Sequence, residues 1–318
     1  MKVHLTFDIE VWCNGWLHLD RDFPAAFDRY VYGRSKHGAY ALPETLAILQ
    51  RHGLRGVFFV EPLFAARFGE EFLGRIVRMI EDAGQDVQLH LHPEWTNEIS
   101  PPPIADASRK RQHLCHYTRA EQTELIAFGL HMLRRHAHSP VFAFRAGSYA
   151  ANLDTYHALA ANGLCVDSSL NSAFEISGAD IPERQHTGSA FRVGAVQVVP
   201  VTVFRDGLQK LRPAQVGACG LQEMKQTLQH AQALGRERFV FVSHNFELLK
   251  PGKSEPDMIV VRRFEGLCRH LAERPERYHV CDFDIDDTST SAPARALPQA
   301  TRWATLGRLG AQALRRLN

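Results

Sequence analysis

Residues 2–10 read Lys-Val-His-Leu-Thr-Phe-Asp-Ile-Glu. Val3, Leu5, Phe7 and Ile9 alternate with polar side chains, and Asp8 and Glu10 stand two residues apart at its end. A period of two is that of a strand, whose successive side chains point to opposite faces, so Asp8 and Glu10 project together. The same form recurs along the chain. Strand-like runs occupy Lys2–Ile9, Gly56–Glu61, Asp86–His92, Val141–Arg145, Leu164–Asp167, Val196–Val203, Arg238–His244 and Tyr278–Phe283. Between them, helical periodicity predicts helices near 43–52, 68–83, 118–136, 153–162, 221–235 and 256–273, the third capped by Thr118 with Glu121 three residues on. Strands alternating with helices imply βα units on a parallel sheet. The expected fold is a distorted (β/α) barrel of seven or eight mostly parallel strands.

The chain has 318 residues, with 37 basic and 35 acidic side chains. That near balance excludes a broad electrostatic footprint for nucleic acid, so no nucleic-acid partner is expected. No apolar run reaches the ~18–20 residues that span a bilayer, and the N-terminus reads as a strand rather than a secretory signal. The six cysteines are scattered with no Cys-x-x-Cys pair. Reduced thiols in a cytoplasm fit that spacing. The 17 histidines direct attention to metal and acid–base chemistry.

Three long connections are candidate lids or binding loops: 11–40, with two tryptophans and three tyrosines; 93–117, with Pro101–Pro103 and a basic cluster at 109–111; and 171–195, polar and rich in Gly and Ser. The expected domain plan is a barrel over 1–285, a linker over 286–300 and a C-terminal amphipathic helix over 301–318. Trp303, Leu306, Ala313, Leu314 and Leu317 share one side of that helix, which also carries four arginines. It can pack on its own barrel, the favoured reading, or make peripheral membrane contact.

In a parallel βα barrel the C-terminal strand ends open on one face, where the chemistry sits. Here those ends carry Asp8 and Glu10, His90 and His92, Arg145, Asp167 and His244. His90 and His92, at i and i+2, can share a metal ion, with a carboxylate as third ligand. Arg145 can hold a carboxylate ionised. Asp167 can pair with His244 and raise its pKa, or cap the turn at Ser168-Ser169.

These segments, in this order, resemble the polysaccharide deacetylases, the NodB-homology group of carbohydrate esterase family 4. Leu5–Asp8 resembles the opening Thr-Phe-Asp-Asp motif, and Pro43–Phe59 the helix and strand that follow it. Gly84–His90 resembles the approach to the metal histidines, and Phe144–Tyr149 the Arg-Pro-Pro-Tyr-type motif. Asp167 falls at the next motif's aspartate, and Ser243-His244 resembles the late Leu-His motif. The resemblance spans about residues 1–284. Ile9 replaces the usual second aspartate, and His90-Leu91-His92-Pro93-Glu94 replaces His-x-x-x-His, so that either His92 or Glu94 can complete the ligand set, with His92 favoured. Both departures look like the branch associated with lipopolysaccharide biosynthesis.

The resemblance implies a carbohydrate N-deacetylase. A divalent ion, expected to be zinc, would sit on Glu10, His90 and His92. Asp8 would be the base, oriented by Arg145; His244, tuned by Asp167, the acid; and the backbone N–H of Tyr149 an oxyanion donor. The substrate would be an N-acetylated sugar, nucleotide sugar or glycan, with Trp95 and the aromatic residues of 11–40 as candidates for stacking on a sugar ring. An allantoinase-like or other barrel amide hydrolase, and a catalytically degenerate glycan-binding homologue, are the alternatives.

Overall fold

A computed structural model describes residues 1–181, 188–286 and 296–317. In chain order the elements run β1 (Lys2–Ile9), α1 (Leu19–Phe27), the hairpin β2 (Arg34–Ser35) and β3 (Gly38–Ala39), α2 (Leu42–Arg51), β4 (Val57–Val60), α3 (Leu63–Phe68) and α4 (Glu70–Asp82). Next come β5 (Asp86–Leu91), α5 (Arg119–Arg134), β6 (Ala143–Ala146), α6 (Leu153–Ala161), β7 (Val166–Asp167), β8 (Phe191–Val193) and β9 (Val196–Val198). The chain continues through β10 (Val203–Arg205), β11 (Leu211–Pro213), α7 (Leu221–Ala233), β12 (Arg238–His244), α8 (Met258–Ala272), β13 (His279–Val280) and α9 (Arg302–Leu317). This is the expected class, an α/β fold of the distorted (β/α) barrel kind. Of the described pairings in its main sheet, only that of β8 with β9 is antiparallel.

The chain folds as two compact units. The first comprises Met1–Gly56, Val201–Asp282 and Ala294–Asn318. In it β1 pairs in parallel with β12 over seven residues, from Lys2↔Arg238 to Asp8↔His244, and its first residues pair with β13. Val3, Leu5 and Phe7 on β1, Phe239 and Phe241 on β12, and Phe264 and Leu267 on α8 are all buried, Phe7 meeting Phe264 edge to face at 5.7 Å. The second unit comprises Val57–Pro200 and Phe283–Pro293. Its strands run in the order β4-β5-β6-β7-β9-β8. The strands β4, β5 and β6 are buried throughout, including Asp86, Gln88 and His90 on β5 and Arg145 on β6.

Where the sequence reading and the structure differ, a particular residue is responsible. The helix expected at 68–83 is α4, which begins only after Gly69, whose φ of 120° suits glycine alone; the short α3 before it was not expected. The strand expected at Val196–Val203 is interrupted after Val198, next to Pro200, which has no N–H for a ladder. Residues 11–40 hold a helix of their own, α1, obscured in the sequence by Pro24 in its interior. The capping box of Thr118 and Glu121 forms as expected. Of the linker expected at 286–300, residues 287–295 lie outside the described residues, as do 182–187 of the long connection 171–195.

The C-terminal helix packs on its own unit, yet not through its apolar side. Arg308 enters the interior and meets two buried carboxylates, Asp206 at 3.0 Å and Glu223 at 3.0 Å. Glu223 also accepts from Thr305 at 2.8 Å, and its side chain caps α7 at the Gly220 N–H. Arg315 pairs with Asp257, itself the cap of α8. A buried charge deprived of its partner costs far more than the pair contributes. Arg308→Ala strands two buried carboxylates, and we expect it to lower unfolding free energy by about 3–5 kcal/mol, measured by urea denaturation. A midpoint equal to that of the parent protein would contradict this docking.

Candidate active site

In the first unit the site residues stand where β1 and β12 end level with each other. Asp8, buried, faces His244, with Oδ2 and Nε2 4.0 Å apart. Glu10 follows β1 and is also buried; its Oε2 accepts from the Trp12 indole N–H at 2.7 Å. Asn245, next after β12, fixes Glu10 through the backbone, accepting from its N–H at 3.2 Å and donating to its carbonyl at 3.0 Å. The same amide donates to the Tyr30 carbonyl, which ties residues 11–40 to the strand ends.

The expectation that Asp167 tunes His244 needs correction. The carboxylate at His244 Nδ1 is Glu247, 2.9 Å away and three residues along the turn after β12. Glu247 also accepts from Gln215, from the Gly217 N–H and from Ser243 Oγ, so its orientation is set from several sides. Burial by itself would lower the His244 pKa. The hydrogen bond to Glu247 and the charges of Glu10, Glu247 and Asp8 overcome this and raise it to about 9. His244 is therefore an imidazolium at neutral pH, the form a proton donor needs.

In the second unit β5 brings up His90, level with Arg145 on β6. His90 Nδ1 lies 2.7 Å from the Arg145 carbonyl oxygen. A carbonyl only accepts, so Nδ1 carries the proton and the lone pair is placed on Nε2. His92 lies just past β5, its ring 4.9 Å from that of His90 and at 77° to it. Its Nδ1 meets Glu94 Oε2 at 3.3 Å. Glu94 thus stands behind His92 as an orienting partner, which bears on the choice between them as ligand. A Cβ at Gly147 would fall 2.6 Å from His92 Nδ1 and Cε1, so glycine there makes room for the ring. The next two residues, Ser148 and Tyr149, both have left-handed backbone, φ 55° and 60°. Strain of this kind is concentrated at functional turns.

Arg145 is fully buried. Its Nε donates to the Ser168 carbonyl and Nη2 to Ser168 Oγ, both at 3.0 Å, and its guanidinium lies over the Phe59 ring at 4.3 Å. Asp167 caps the following turn, accepting from the Ser169 N–H at 3.0 Å and from Ser169 Oγ at 2.5 Å. Burial raises its pKa to about 6, against the pull of the Ser169 hydrogen bonds and of Arg145. Tyr149 stacks on Phe174 at 5.6 Å. Trp95 is not available for sugar stacking; it is 1% exposed and packs edge-on against Phe68.

Two acids were missed in the sequence. One is Glu247. The other is Glu61, which closes the β4 run just as the expected site residues close theirs, a signal that was present. It accepts from the Leu63 N–H at 2.8 Å and the Phe64 N–H at 3.3 Å at the start of α3. Burial raises its pKa to about 8, opposed by the charge of His92 and these hydrogen bonds.

No protein-family model and no curated protein sequence matches the chain. Solved structures do. The chain is similar to family 4 carbohydrate esterases. One is the Streptomyces lividans family 4 esterase in complex with acetate, at 15% identity, 92% of this chain, 97% of that one and a TM-score of 0.43. Another is a Mycobacterium smegmatis protein assigned to the polysaccharide deacetylases, at 19%, 89%, 93% and 0.48. A third is a pseudoenzyme of the same family from Bacillus anthracis, at 12%, 86%, 61% and 0.42.

The His244–Glu247 pair has a testable pH signature. A pKa raised in the folded state from about 6.5 adds stability that is complete below that pH. That stability is lost as pH rises through about 9. Calorimetry of the protein in chelator should show Glu247→Gln costing most stability at the acid end of this window, with the two proteins converging at alkaline pH. A difference between them that is independent of pH would contradict the pairing.

Proposed function

We propose that the protein hydrolyses the acetamide of an N-acetylated sugar with a divalent ion, zinc in this reading, held by Glu10, His90 and His92. The observation that carries the proposal is the state of the two imidazoles. Each has Nδ1 on an oxygen acceptor, the arrangement by which metal-binding histidines are oriented for ligation through Nε2. Glu10 adds a carboxylate; all three residues are buried, and each can offer one ligand atom. Two imidazoles and one carboxylate suit zinc with a position left for water or substrate. Such an ion, when bound, would polarise the acetamide carbonyl and make water a stronger acid.

The residues of the chain divide the proton work. Asp8 takes the proton of the attacking water. His244, kept protonated by its hydrogen bond to Glu247, gives its proton to the amine as the C–N bond breaks. Arg145 orients Asp8 in this scheme, and the Tyr149 N–H donates to the oxygen that gains charge. Asp167 acts at one remove, holding Ser169, whose Oγ accepts from the Ala146 N–H at 2.8 Å at the end of β6. The substrate is a glycan or nucleotide sugar, and a lipopolysaccharide precursor is the specific candidate.

Acetate release from N-acetylglucosamine oligomers and from nucleotide-linked N-acetylglucosamine tests this reading. Asp8→Asn and His244→Ala should each reduce turnover by about 10²–10⁴-fold, the usual contribution of acid–base assistance. Full activity in both variants would overturn the assignment. Ureide hydrolysis without acetate release would favour an allantoinase-like enzyme.

A further inference from the structure

The C-terminal helix is amphipathic in the unusual sense: its polar side faces the protein. At about 100° per residue, Trp303, Leu306, Gly307, Gly310, Ala313 and Leu314 fall in one arc of roughly 120°. All six are exposed, Trp303 at 83%, Leu306 at 50% and Leu314 at 55%. Leu309, at 40%, extends this face on one side. The opposite side carries Thr305, Arg308 and Arg315, bound to Glu223, Asp206 and Asp257. These buried ion pairs hold the helix in one rotational setting, so it cannot roll to bury the apolar face. Of the twelve exposed large apolar side chains described, four stand on this one helix, a concentration that marks an interaction surface rather than scattered exposure.

The rim of this face is basic. Arg302 at its start, Lys210 on the β10–β11 turn and Arg262 on α8 are all exposed. The Gly207 N–H, in the same turn as Lys210, donates to Thr305 Oγ1 at 2.8 Å, and Arg262 lines a groove with Trp303 and Gly307. Residues 297–318 contain no acidic side chain. A second copy docking by a twofold would set like arginines against each other. Anionic headgroups complement them, with leucines entering the acyl boundary and tryptophan at the interface, where its indole N–H stays in polar surroundings. Among the described residues no helix is long and apolar enough to cross a membrane, so the contact lies in the plane of the surface.

We propose that α9 seats the protein on an anionic lipid surface through the face formed by Trp303, Leu306, Leu309 and Leu314. The proposal is independent of the deacetylase reading.

Co-sedimentation of the full chain with vesicles of phosphatidylglycerol mixed into phosphatidylcholine, compared with phosphatidylcholine alone, tests it. The parent protein should pellet with the anionic vesicles, and Leu306→Gln/Leu314→Gln should reduce the bound fraction at least ten-fold while keeping the parent's unfolding midpoint. Brominated acyl chains should quench tryptophan fluorescence, and Trp303→Phe should remove most of that quenching. No binding to anionic vesicles, equal binding to both vesicle types, or binding unchanged in the double leucine variant overturns the proposal. So does a dimer in sedimentation velocity that the double variant abolishes without any vesicle binding, which would assign the face to a second copy.

Discussion

The parallel register of β1 against β12 is the constraint on which the proposed acid–base chemistry depends. Seven consecutive pairs bring Asp8 level with His244, and side-chain packing makes that register unique. A slip of one residue would turn Asp8 to the other face, and a slip of two would move it about 6–7 Å along the strand. Either shift would also tear Phe7 from Phe264 and break the hydrogen bond from Thr6 Oγ1 to the Phe241 carbonyl, 2.6 Å long. The apolar core thus sets a 4.0 Å separation between two polar atoms that do not themselves hold the strands together.

Orientation past the strand ends comes from a layer of residues without chemistry of their own. Glu247 orients and charges His244, Trp12 and Asn245 fix Glu10, and the Arg145 carbonyl and Glu94 set the two imidazoles of the second unit. Backbone space matters as much: the missing side chain of Gly147 admits the His92 ring. Such partners decide whether a ligand or a proton donor presents the correct nitrogen in the correct state.

Much of this was legible in the sequence, for a physical reason. Strands show themselves by apolar residues that run together or alternate, and an ionisable residue near the end of such a segment is conspicuous; Asp8, His90, Arg145 and His244 were all singled out that way. Glu247 was not, because it lies beyond its strand, and only the path of the turn returns it to His244. Asp167 was linked to His244 by its place at a strand end and by the family resemblance, whereas the carboxylate at His244 Nδ1 is Glu247. Helix α1 was hidden by Pro24. The apolar stripe of α9 was plain in the sequence, but its direction was not: the carboxylates that draw in Arg308 come from residues 206 and 223, about a hundred positions away. Local periodicity locates an amphipathic face, and long-range charge pairing decides which side of the helix turns inward.

The central claim is that two imidazoles oriented through Nδ1 form, with Glu10, the seat of one divalent ion. Zinc titration calorimetry of the chelator-treated protein tests it most directly. The account predicts one ion per chain in the parent protein and loss of that site in His90→Ala/His92→Ala. A parent protein that binds no divalent ion, or a double variant that binds it equally well, would contradict the account.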